Sequence, residues 1–133
     1  MKKAFISVYV LIILLVFGLS ISFIYGENET NFNSSQSLYY KKIGMFEAES
    51  LLNIIINEDR LKDEKPPHDL IKSFNSKSTL SIKKQDADNK IAEADGAKIL
   101  TVNSDYKNTK SHASIAYKIG QEGEIEIIYK RVY

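Results

Sequence analysis

Ala4–Tyr25, AFISVYVLIILLVFGLSISFIY, is an uncharged run of 22 residues. At a helical rise of 1.5 Å per residue it reaches about 33 Å, enough to cross a hydrocarbon core. Backbone amides in lipid must bond within their own segment, and a lone stretch does so only as a helix. The rival reading, a cleaved signal peptide, needs a shorter apolar core of about 7 to 15 residues that ends in a small-x-small site. Ser20-Ile21-Ser22 matches that site poorly, because it lies inside the apolar run. The stretch is expected to stay attached as a membrane anchor over residues 1–25. Lys2 and Lys3 stand before it and Glu27 and Glu29 after it. Those two lysines set the orientation, N-terminus in the cytoplasm and the remainder outside, since the positive-inside rule counts Lys and Arg and gives acids little weight. Phe5, Tyr9, Phe23 and Tyr25 fall near the two ends, where rings settle at headgroup depth.

Working outward, the whole chain has 133 residues, so the part beyond the anchor holds one small domain and not a multidomain enzyme. Of 18 Lys and Arg, two precede the anchor, leaving 16 against 17 acids in the rest. A nucleic-acid partner, which requires a basic field, is not expected. The absence of Cys excludes disulfides, thiol nucleophiles, Cys-based zinc sites and lipid attachment through sulfur.

Residues 26–37, GENETNFNSSQS, are rich in Asn, Ser and Thr, which compete with helical backbone bonds. They read as a melted joint or linker, with Asn33 or Ser34 capping a new helix. That second helix is expected to run to about Lys62, where Asp63-Glu64-Lys65-Pro66-Pro67 stops it. At 100° per residue, Tyr40, Ile43, Phe46, Leu51, Ile54 and Leu61 fall within roughly 140°, an amphipathic stripe. Around Leu51, Leu52, Ile54, Ile55 and Ile56 the apolar character spreads all round, predicting a more enclosed C-terminal half. Gly44 inside this helix costs roughly 1 kcal/mol against Ala.

Beyond His68 the period changes to two. Leu80-Ser81-Ile82, Ile99–Val102, Ala113–Ile119 and Glu124–Tyr129 read as strands. Ala113, Ile115, Tyr117 and Ile119 are expected on one side of the third. Ile125, Ile127 and Tyr129 are expected together on one side of the fourth, with Gly120-Gln121-Glu122-Gly123 as the hairpin between the two strands. Asp86–Gly96 is an acidic, turn-rich connector. A small antiparallel sheet needs a cover, and the helix before Lys62 is the candidate of adequate size. The expected class is α+β: a transmembrane helix, then a domain at 38–133 in which a second amphipathic helix packs on a three- or four-stranded sheet.

An apolar N-terminal helix, then Met45-Phe46-Glu47-Ala48-Glu49-Ser50-Leu51-Leu52, then a closing meander of short strands resembles a type IV pilin-like protein. The chain is similar to the minor pilins and pseudopilins of competence pili and type II secretion. In some of these an aromatic-rich Ala-Ala-Glu segment follows the membrane helix; Phe46, Ala48 and Glu49 match it, with Glu47 in place of an alanine. The final strands, with Gly123 between them, look like the last hairpin of a competence-type minor pilin. Prepilins carry a Gly before the cleavage point and a glutamate five residues after it. Here no Gly precedes Phe5 and the first acid is Glu27, so peptidase processing and the glutamate pairing are not carried over. The resemblance implies a structural subunit that works by assembly, with other pilin-like subunits and the membrane as partners and no cofactor or small-molecule substrate. The alternative is a single-pass anchored extracytoplasmic binding or interaction domain.

Glu47 falls among the apolar stripe, where a carboxylate must be paired or shift its pKa. Phe46, Glu47 and Glu49 are thus the candidates for subunit contact, with Glu49 on the opposite, solvated side. His68 and His112 lack neighbouring ligand spacing and are expected at the surface, holding no metal. Asp86-Ala87-Asp88 begins like a calcium loop, but Lys90 and Ile91 replace the third ligand and the turn glycine. Asn28-Glu29-Thr30 and Asn33-Ser34-Ser35 formally match glycosylation acceptors. Lys83-Lys84 and Lys130-Arg131 read as solvated pairs. No phosphate cradle, nucleophile elbow or His-partnered Ser occurs, so no catalytic residue is named and an enzyme is not expected.

Overall fold

A computed structural model of the chain describes residues 2–87 and 96–133. The element order is α1 (Lys2–Asn57), a single 3-10 turn (Arg60–Lys62), α2 (His68–Ser73), β1 (Thr79–Asp86), β2 (Lys98–Tyr106), β3 (Thr109–Ile119) and β4 (Ile125–Val132). The chain divides into two compact units, Met1–Leu38 and Tyr39–Tyr133.

In the first unit every side chain from Phe5 to Leu38 is exposed, and α1 here is long and apolar enough to cross a membrane. Two hydroxyls turn back on the helix. Ser20 Oγ donates to the Val16 carbonyl at 2.8 Å and Thr30 Oγ1 to the Gly26 carbonyl at 3.0 Å. In hydrocarbon the first bond spares the helix an unsatisfied donor. The joint expected at 26–37 is instead helical. Nucleating a helix is costly while propagating it adds a bond per residue, so weak formers between stronger ones are carried along.

The second unit contains the core. Ala48, Leu51, Leu52 and Ile55 of α1 pack with Leu61, Leu80, Ile82, Leu100, Val102, Ala113, Ile115 and Tyr117. The sheet is a four-stranded antiparallel meander in the order β1-β2-β3-β4. One helix, not two, thus provides both the apolar N-terminal stretch and the cover of the sheet. It ends at Asn57, short of Lys62, because Asp59 adopts a left-handed φ of 56° before the 3-10 turn. Helix α2, not anticipated, follows Pro66-Pro67 and lends Leu70 and Ile71 to the rim of the core.

β1 and β2 extend beyond the expected apolar residues at both ends, β3 begins earlier, at Thr109, and β4 ends later, at Val132. β2 and β3 are joined by Lys107-Asn108, both with positive φ (49° and 62°), the conformation that matches the strand twist in a two-residue hairpin. The β3–β4 hairpin lies where Gly120–Gly123 placed it, closed by Gly120 N–H to the Glu124 carbonyl at 2.8 Å. On β4 the expectation fails. Tyr117 pairs with Ile127 and Ala116 with Tyr129, leaving Ile128 as the extra residue of a bulge. The bulge inverts the alternation, so Tyr129 lies on the opposite face from Ile125 and Ile127. Of the calcium-loop residues, Asp88, Lys90 and Ile91 lie outside the described residues.

Candidate functional site

Small residues decide which side of α1 meets the sheet. Gly44, Ala48, Leu51, Leu52 and Ile55 are buried, whereas Phe46 is 64% exposed and Ile43 and Ile54 are half-buried. The packed face is therefore rotated from the expected stripe. A β-carbon on Gly44 would stand 3.0 Å from both Ser104 Oγ and Ser111 Oγ, so α1 approaches β2 and β3 so closely there that a side chain would have to push the two serines back by a few tenths of an ångström. Counting apolar side chains alone misses this, because the contact is made by their absence.

On α1 in the second unit the rings of Tyr39 and Phe46 are exposed, seven residues apart and so on nearly the same face of the helix. In the first unit the aromatic side chains from Phe5 to Phe32 are exposed throughout.

The two acids that follow Phe46 are engaged internally. Glu47 accepts the Lys77 N–H at 2.8 Å and the Ser78 N–H at 3.0 Å, and also the Ser78 hydroxyl. It ties α1 to the start of β1. Glu49 pairs with Lys130 Nζ at 2.9 Å, and the same ammonium donates to Asn53 Oδ1 at 2.8 Å, tying α1 to β4. Lys2 and Lys3 open α1.

The pair Lys83-Lys84 splits between faces, as strand periodicity demands. Lys83 is exposed, but Lys84 crosses to the core side, where its ammonium donates to the carbonyls of Leu61 and Asp63. Burial pushes the Lys84 pKa down, against the pull of Asp63 and Asp86. The Tyr117 hydroxyl donates to the same Leu61 carbonyl at 2.8 Å, and burial pushes its pKa up. Next to them Arg60 bonds Asp63 and Asp69, which hold its guanidinium charged. These contacts fasten the segment after α1 over β1 and β3.

On the outer sheet face a row of polar side chains crosses the strands. Asn103 Nδ2 reaches Ser81 Oγ at 3.5 Å, Asn103 Oδ1 meets His112 Nδ1 at 3.0 Å, and the His112 ring stands edge-on to Tyr133 at 5.1 Å. His112 is thus half-buried and held, more than the surface histidine expected; His68 is exposed at the start of α2. Beside the row lies an open depression of about 350 Å³ bordered by Thr79, Lys83, Asp105 and Lys110. Among the described residues no cluster of three or more His, Asp or Glu side chains could hold a metal ion. Sequence reasoning missed this row; its signal was the placement of Ser81, Asn103 and His112 beside the apolar Ile82, Val102 and Ala113 on adjacent strands.

No family model, curated protein or solved structure matches the chain. What sequence and geometry define is a class: an α+β protein with one N-terminal helix of membrane-crossing length and apolarity and a four-stranded antiparallel sheet.

Proposed function

We propose that this protein is a minor pilin-like structural subunit of a type IV pilus, competence or type II secretion-like filament. It sits in the cell membrane as a single-pass protein, N-terminus in the cytoplasm and sheet domain outside. The observation that carries the reading is that one helix, α1, supplies both a fully exposed apolar stretch at Phe5–Tyr25 and, from Tyr39 on, the Gly44/Ala48 face that covers an antiparallel meander.

Its work is physical. In the bilayer the exposed apolar side chains are solvated by lipid. On assembly lipid is exchanged for the helices of sister subunits, an exchange driven by packing because tails and side chains are equally apolar. Phe46 and Tyr39 provide contact area outside the membrane. Glu47 and Glu49 serve that contact by fixing the strands β1 and β4 to the helix that bears it.

Deletion of the gene tests this. Loss of piliation, DNA uptake or protein secretion, together with co-isolation of other pilin-like subunits in detergent, is the expected result. If all three processes stay intact and no such subunit accompanies the chain, the assignment fails. N-terminal sequencing adds a direct check, since a mature chain starting beyond Ser22 would lack nearly all of the apolar docking stretch of α1. The alternative, an anchored binding domain, is favoured by the polar depression on the outer sheet face and predicts intact filaments after deletion.

A further inference from the structure

We propose that the outer face of the sheet binds a small polyol phosphate, with the phosphate held by Lys83 and Lys110 and the polyol hydroxyls by the Ser81–Asn103–His112 row. The inference stands apart from the filament reading and holds for either function.

The donor balance of the depression carries it. Lys83 and Lys110 both border the concavity, and among the described residues neither forms an ion pair. Among the described residues Asp105 is the one acid along its border, directly opposite Lys110 in the β2–β3 register. The site therefore has an excess of positive charge even after Asp105 is counted, and an oxyanion is the ligand that satisfies ammonium donors best.

The row across the strands is preset for hydroxyl groups. The contact between Asn103 Oδ1 and His112 Nδ1 puts the imidazole proton on Nδ1 and leaves Nε2 as an acceptor. Asn103 also presents its Nδ2 donors along the row, 3.5 Å from Ser81 Oγ. Backbone pairing with Tyr133, N–H to carbonyl at 2.6 Å one way and 2.8 Å the other, places the main chain of His112, and the Tyr133 ring stands edge-on to the imidazole at 5.1 Å. Acceptors at His112 and Asp105 and donors at Asn103, Thr79 and Ser81 suit a chain of hydroxyls. A plain phosphate uses only the lysine end.

The test is NMR titration of the full chain in dodecyl maltoside micelles, with glycerol phosphate, with inorganic phosphate, and with sodium chloride at matched ionic strength. Saturable shifts at the amides of Ser81, Asn103 and His112 with glycerol phosphate, absent with chloride, are expected. Lys83→Gln with Lys110→Gln should weaken binding at least tenfold, while Lys72→Gln, on α2, leaves it unchanged. Bicelles containing phosphatidylglycerol form a further arm. Shifts there at the same amides, matched by free glycerol phosphate, identify the shared group; shifts with the lipid alone assign the source to a headgroup. Either supports the site. Equal response to chloride, or unchanged affinity in the double Gln variant with its amide spectrum otherwise preserved, overturns it.

Discussion

The carboxylate of Glu47, near the C-terminal end of α1, accepts the backbone N–H of Ser78 at 3.0 Å, thirty-one residues further along the chain. With Lys77 N–H on its other oxygen, one side chain satisfies two consecutive amides just before β1. Ser78 is buried whereas Lys77 is exposed, so it is the Ser78 amide that has little access to water as a substitute. Glu47→Ala is expected to lower stability by about 1–3 kcal/mol, the cost of leaving that buried donor unpaired. Glu47→Gln, which keeps one acceptor, should cost less. Urea unfolding of both variants in micelles checks the order.

Gly44 is the point where α1 and the sheet come closest. Gly44→Val inserts a branched side chain against Ser104 and Ser111, and overpacking of this kind costs about 1–3 kcal/mol. A gain in stability would show that the helix stands further from the sheet than described.

Ser104 Oγ is buried in this same contact and has no hydrogen-bond partner among the described residues. Ser104→Ala removes a hydroxyl whose desolvation is uncompensated, so the variant is expected to be more stable by roughly 1 kcal/mol. An equal loss in the urea midpoint would mean that the hydroxyl is satisfied.

Phe46 makes the opposite prediction. Its ring is exposed, so Phe46→Ala should change the unfolding free energy by no more than about 0.5 kcal/mol. Under the filament reading it nevertheless reduces co-isolation of sister subunits, and Tyr39→Ala adds to that loss. Stability and association measured on the same preparations separate the two effects.

Tyr117 gives the fold a pH signature. Burial raises its pKa above the usual 10, so in alkali the unfolded chain ionises first and binds fewer protons than the folded one. Stability from this group is complete below pH 10 and falls as pH rises through the folded value. Lys84, whose pKa is lowered, acts the other way: its contribution rises with pH up to 10.5 and then levels off. Tyr117→Phe should therefore flatten the alkaline loss, at the cost of about 1 kcal/mol at neutral pH for the bond to the Leu61 carbonyl. Unfolding curves between pH 8 and 11 for both proteins decide it.

The amino-acid sequence alone determined the features that depend on local order. An uncharged run of 22 residues is apolar whatever it packs against, and period-two alternation at Ala113–Ile119 makes a strand in any antiparallel sheet. The Gly120–Gly123 turn belongs to the same kind. Tertiary structure decided the rest. It chose the face of α1 through the close approach at Gly44. It shifted the fourth strand by a bulge at Ile128, and it used Glu47, Glu49 and Lys84 as internal ties. The bulge depends on the neighbouring strand and the others on partners more than 20 residues away, and a local pattern shows only that a group needs a partner. Which partner it meets is set by how the helix and sheet close on one another.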